Sequence, residues 1–192
     1  MHYSTLSASE HFSDQRRVRT RRYRIYPLRG FWIDWLKLIF LTMAQTLVQI
    51  FVHIVFSTKN RANIITPEIE TELFAYIGGI AANNNSKLVA ANGTANHIHL
   101  LILLSKTIGL SELVGDIKRN SSRWIKTKGD NLKSFGWQDG FAAFSVGQTQ
   151  VPMVKEYIAN QKEKHGKWKF EDEMRMFFDK YGIEYDKRYV WD

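Results

Sequence analysis

The run His97-Ile98-His99-Leu100-Leu101-Ile102-Leu103-Leu104-Ser105 constrains the fold more than any other stretch of this chain. It has the length of a strand, and apart from its two histidines it is apolar at odd and even positions alike. A strand exposed on one face alternates apolar and polar residues; this one does not, so it is a central strand. The chain must therefore supply neighbours for it.

Those neighbours can be read on both sides. Leu47 to Ser57 is rich in Val, Ile and Phe and predicts a strand. Thr66-Pro67 reads as a helix cap followed by proline at the first helical position, and Ile69, Leu73, Tyr76, Ile77 and Ile80 repeat behind it at helical spacing. Asn83-Asn84-Asn85 breaks that helix, and Lys87 to Ala91 predicts a short strand. Asn92-Gly93 reads as the turn of a hairpin into the central strand. A second helix is expected from Leu110 to Lys128, with Leu110, Leu113, Ile117 and Trp124 as its apolar stripe and Ser121 in register. Ala142 to Val146 predicts a fourth strand, Pro152 opens a third helix to Lys164, and Glu171 to Tyr181 predicts a fourth. The order β-α-β-β-α-β followed by helices predicts an α+β, ferredoxin-like split βαβ fold: a four-stranded antiparallel sheet with helices on one face, plus C-terminal helices. Such sheets host binding modules and enzymes alike, so function must come from the site.

Side chains alternate across a strand, so His97 and His99 project to one face while Ile98 goes to the other. Two imidazoles roughly 7 Å apart can converge on one divalent ion. The competing reading is a pair of core histidines satisfied by hydrogen bonds; burying both side by side without such partners is costly. The chain has no cysteine, so any metal is held by imidazole, carboxylate, amide or water, which points to Mg, Mn or an imidazole-rich site. Tyr157 and Gln161 stand four apart on the third helix and share a face, beside the apolar Val154 and Ile158. If that helix docks over the histidines, a phenol and a neutral oxygen ligand reach the same metal.

The net charge of +8 points to a polyanionic partner. It is unevenly spread: residues 43–192 hold 19 basic against 16 acidic side chains. Within them the second helix carries Lys118, Arg119, Arg123, Lys126 and Lys128 among Asn120, Ser121 and Ser122, a cluster suited to phosphate, with Trp124 and Trp137 as candidate stacking platforms or core residues. Residues 1–42 are expected to be a disordered arginine-rich extension or a stretch upstream of the working start at Met43, leaving 43–192 as the catalytic domain. Phe31 to Leu41 is interrupted by Asp34 and Lys37 and falls short of the roughly 20 apolar residues of a spanning helix, so no membrane partner is expected.

From Met43 to Gly182 the chain resembles the small single-tyrosine HUH transposases of bacterial insertion sequences, the IS-two-hundred-like superfamily. The resemblance rests on ordered blocks: Val52-His53-Ile54-Val55-Phe56-Ser57-Thr58-Lys59, Asn96-His97-Ile98-His99-Leu100-Leu101, Lys118-Arg119-Asn120-Ser121-Ser122-Arg123-Trp124-Ile125, the stretch Trp137 to Val146, and Tyr157-Ile158-Ala159-Asn160-Gln161. It implies binding of single-stranded DNA bearing hairpins, strand cleavage and rejoining through a 5′-phosphotyrosine, magnesium or manganese as cofactor, no nucleotide cofactor, and a homodimer in the bacterial cytoplasm that joins the nucleoid when bound. By the same resemblance His97, His99 and Gln161 are the metal ligands and Tyr157 the nucleophile. Many members have Asp before the first histidine; this chain has Asn96, an amide that can still orient His97 by hydrogen bonding. Two other readings keep the fold but change the role: a domesticated relative processing hairpins dispersed in a host genome, and a binding module without catalysis. Plasmid replication initiators share the motif but are usually longer.

Overall fold

The computed structural model describes residues 46–165 and 169–186. The expectations for residues 1–42 and for the Phe31–Leu41 run lie outside these. β1 (Ile50–Ser57) leads into helix α1 (Pro67–Asn83), then β2 (Lys87–Gly93) and β3 (His97–Leu104). Helix α2 (Leu110–Ile125) and β4 (Ala142–Val146) follow, then three helices: α3 (Val151–Ala159), α4 (Gln161–His165) and α5 (Phe170–Tyr181). The strands lie in the order β2-β3-β1-β4 and every pair is antiparallel. With α1 and α2 as crossovers, this is the ferredoxin-like arrangement the pattern predicts.

β3 is a central strand, flanked by β1 and β2. Alternation sorts its side chains and those of β1 into two layers. Val52, Ile54, Phe56, Ile98, Leu100 and Ile102 pack with Leu73 and Ile77 of α1 and Leu113 and Ile117 of α2. Leu100 is wholly buried there, and truncating such a leucine to alanine costs about 2–5 kcal/mol. Ser121 belongs to this layer as well: its Oγ donates to the Ile117 carbonyl at 2.6 Å and accepts from Trp137 Nε1 at 2.9 Å. Trp137 is therefore a core residue, and the reading of it as a stacking platform is corrected. Trp124 is half-buried and stacks on Tyr76, ring centroids 5.3 Å apart.

The other sheet face is where the expected C-terminal helices pack. Phe51, Leu101 and Val146 pack against Ile158 of α3, and Val55 and Phe144 against Met174, Phe177 and Phe178 of α5. The cause lies in β1, which is buried on both faces from Phe51 onward and leaves a second apolar surface to be covered.

Two local expectations are corrected. Asn92 and Gly93 are not the hairpin turn; they end β2, opposite His99 and Ile98, and the reversal runs through Thr94–Asn96, closed by Thr94 N donating to the His97 carbonyl at 2.9 Å. Gly93 is needed for close approach: a Cβ there would stand 2.3 Å from the His97 oxygen. The third helix also ends earlier than expected, breaking at Asn160 (φ −90°, ψ 13°) before the short α4 begins at Gln161.

Candidate active site

The site forms on the sheet face covered by α3 and α5. His97 and His99 project there from β3 with ring centroids 5.3 Å apart, both wholly buried. Each ring is held by its Nδ1. His97 Nδ1 lies 2.7 Å from Asn96 Oδ1, an acceptor, so His97 carries its proton on Nδ1 and turns Nε2 inward. Thr94 Oγ1, 2.9 Å away, supports the same ring. His99 Nδ1 lies 3.0 Å from Nε2 of His53, a buried β1 residue whose ring stacks on it at 5.2 Å. Burial, with the neighbouring His99 second and Glu173 opposing, lowers His53 to about 3, so it stays neutral near neutral pH.

Tyr157 and Gln161 reach the same place although a helix break separates them. Ile158 seats α3 on Phe51, Leu101 and Val146, and Asn92 Nδ2 donates to the Ala159 carbonyl at 2.8 Å, tying the end of α3 to β2. A further group comes from α5. Glu173 is buried, its Oε1 accepting from the Tyr157 hydroxyl and from Gln161 Nε2, the latter at 3.0 Å. Its Oε2 faces His97 Nε2 at 3.8 Å and His99 Nε2 at 3.6 Å. The phenol is held well above its ordinary pKa, first by burial and then by the hydrogen bond and charge of Glu173, with Gln161 opposing.

Two atoms carry the chemical meaning of this arrangement. His99 Nε2 and Gln161 Oε1 are buried and lack a hydrogen-bond partner, which is costly for polar atoms away from water. Both have a lone pair suited to a cation. His97, His99 and Glu173 each offer a ligand atom, all within 4.8 Å of one another, a spacing that one divalent ion could bridge. The donor set of imidazole nitrogens and carboxyl or amide oxygens suits such an ion, so the residues fit a metal.

Of the residues predicted from sequence, His97, His99, Tyr157, Gln161 and Asn96 come together here. His53 and Glu173 were missed. His53 sits in a block of the resemblance with no role attached, and which β3 side chain it meets depends on strand register. Glu173 looked like one of the acidic residues that favour a helix N-terminus, beside Glu171 and Asp172.

The basic residues of α2 lie elsewhere. Lys118, Arg119 and Lys126 line, with Ser122, a groove of about 460 Å³ that also reaches Trp137 and Gly140. Lys118 is set apart from its neighbours: Nζ donates to the carbonyls of Gln138, at 2.9 Å, and Gly140, and stands 4.9 Å above the Phe56 ring. Burial, opposed by Asp139, lowers its ammonium to about 8. Arg119 pairs with Asp116 at 2.8 Å, while Arg123 and Lys126 are exposed. No described helix is long and apolar enough to cross a membrane.

Comparison with known proteins bears on all of this. A family model described as "Transposase IS200 like" matches residues 46–161. The ISDra2 transposase TnpA of Deinococcus radiodurans is 22% identical over 121 residues, 58% of this chain and 84% of that protein. The solved structure of a REP-associated tyrosine transposase bound to a REP hairpin superposes with a TM-score of 0.50 at 16% identity, covering 65% of this chain and 73% of that one, a likeness of fold.

Proposed function

The match over residues 46–161 spans more than half of the chain, which therefore belongs to the IS200-like transposase family, and on that premise we propose that it cleaves and rejoins single-stranded DNA through Tyr157 with the help of a divalent metal. The observation that carries the proposal is the meeting of a phenol with two imidazoles and an amide oxygen, two of whose atoms lack hydrogen-bond partners. Asn96, through His97 Nδ1, holds that ring for coordination, as hydrogen-bonded histidine ligands generally require.

In the proposed reaction the Tyr157 oxygen attacks a backbone phosphorus. A P–O bond to the tyrosine forms as the P–O3′ bond breaks, leaving a 5′-phosphotyrosine and a free 3′-hydroxyl. A phenol is a weak nucleophile at neutral pH. When bound, magnesium or manganese held by His97, His99 and Gln161 would polarise the phosphate and offset charge developing on its oxygens. Tyr157 is oriented by its hydrogen bond to Glu173 Oε1 and by the aromatic wall of Phe177, whose ring centroid lies 5.5 Å away. Rejoining is the reverse attack by a 3′-hydroxyl, so bond energy is conserved and no nucleotide cofactor is needed.

Arg119, Arg123 and Lys126, with Lys118 bracing the adjacent loop, are proposed to hold the DNA backbone along the α2 groove. A hairpin-bearing strand is the proposed substrate, a reading supported by the hairpin bound to the REP-associated neighbour. That neighbour also favours a second reading of the biological role, the processing of dispersed hairpins, with the same chemistry. The proposal extends to action on nucleoid DNA in the cytoplasm and to a homodimer, checked by light scattering. The test of the chemistry is Tyr157→Phe on a hairpin-bearing single strand. The covalent protein–DNA adduct is expected to vanish while binding survives; an adduct that persists refutes the nucleophile assignment, and a wild-type chain that binds the strand but forms no adduct returns the protein to the class of binding modules.

A further inference from the structure

Glu173 lies outside residues 46–161, the segment that matches the family model, on the separate helix α5. It nevertheless sits at the centre of the site. A buried carboxylate is costly unless charge or hydrogen bonds compensate it on both oxygens. Oε1 has two donors, the Tyr157 hydroxyl and Gln161 Nε2. Oε2 stands 3.8 and 3.6 Å from the inward nitrogens of His97 and His99, too far for hydrogen bonds but close enough to share an ion with them. Among the groups facing it are, from β3, the two imidazoles and, from α3 and α4, Tyr157 and Gln161.

We propose that Glu173 is a ligand of the same divalent ion as His97, His99 and Gln161, bound through Oε2, while its Oε1 ties the Tyr157 phenol to that ligand set. The inference rests on reading the site as a metal centre. His97, His99 and Gln161 are neutral ligands, so Glu173 brings the charge: two imidazoles and one carboxylate form a set familiar for manganese or iron, with oxygen donors pulling it towards manganese. One carboxylate then serves as metal ligand and as positioning residue for the nucleophile, and the position of α5 controls both.

The test is manganese affinity of the full chain without DNA, read from the electron paramagnetic resonance of free Mn²⁺, in wild type, Glu173→Gln and His97→Ala. Glu173→Gln keeps the shape and the acceptor oxygen but removes the charge; it should weaken manganese at least about tenfold, with the circular dichroism unchanged. His97→Ala should lose binding as well. Loss in His97→Ala with affinity within twofold of wild type in Glu173→Gln overturns the inference and leaves the metal centre standing. Binding untouched by either variant sinks the metal centre itself. At saturating manganese, Glu173→Gln should still form the DNA adduct more slowly, because the phenol has lost its charged anchor; faster adduct formation would mark α5 as a plug and overturn the positioning role. If the variant does not fold, a manganese-soaked crystal of the wild-type chain decides: an anomalous peak bonded to His97 and His99 but not to Glu173 refutes the proposal.

Discussion

Replacing His53 by phenylalanine should flatten the acid limb of this protein's stability. The imidazole sits among the rings of Phe177, Phe144 and Tyr157, with centroids 5.4, 6.1 and 6.1 Å away, so a phenyl ring has the right surroundings. His53 titrates at about 3 in the fold against an ordinary 6.5. Below about pH 6.5 the unfolded chain takes up a proton at this residue that the folded chain refuses until about pH 3. Stability attributable to it is thus intact above pH 6.5 and falls as pH drops, by about 1.4 kcal/mol per unit. Between about pH 7.5 and pH 5 the loss is roughly 2 kcal/mol, and phenylalanine, having no proton to refuse, does not suffer it. At neutral pH the variant has its own cost, about 1–3 kcal/mol, for stranding the buried Nδ1 of His99. Urea denaturation at matched ionic strength across that pH range measures both. The gap between wild type and variant should narrow by about 2 kcal/mol on acidification. A constant gap refutes the reasoning, since His53 would then titrate alike in both states.

Three further substitutions test positions outside the site. Gly93→Ala should destabilise the chain by about 1–3 kcal/mol or more, measured by thermal denaturation, because its Cβ would meet backbone at 2.3 Å and 2.9 Å and only β3 itself could yield. On α2, Lys126→Ala should lower the slope of log binding constant against log salt for single-stranded DNA by roughly 0.7 with stability unchanged. Lys118→Ala should instead lower the melting temperature, since its ammonium braces the Gln138 and Gly140 carbonyls.

Much of this structure is local and could be read from the sequence. β3 announced itself by being apolar on both faces, β4 appears at the predicted residues, and His97 and His99 share a face because alternation along a strand is rigid. Tyr157 and Gln161 needed only helical spacing and a docking assumption, and the docking survives the break at Asn160 because both side chains converge on one carboxylate. What escaped was set by long-range geometry. His53 meets His99 across 46 positions of sequence, through strand pairing that no local pattern specifies. Glu173 meets Tyr157 across 16, through the docking of a separate amphipathic helix, and an acidic residue in a first helical turn has an ordinary explanation that hides it. Asn92-Gly93 misled for a different reason: the pair is a common turn, but here the glycine answers a need for close backbone approach and the asparagine holds the end of α3.

The order in which the groups arise along the chain has a consequence for biosynthesis. A polypeptide emerges amino end first and folds as it comes. The sheet from β1 to β4, with its histidine pair, can form before the tyrosine helix is made, and the tyrosine helix before α5. A nascent chain therefore presents imidazoles, then a phenol, and receives the carboxylate that joins them only when α5 docks. If strand cutting needs that join, the site stays incomplete until α5 has been made and has docked.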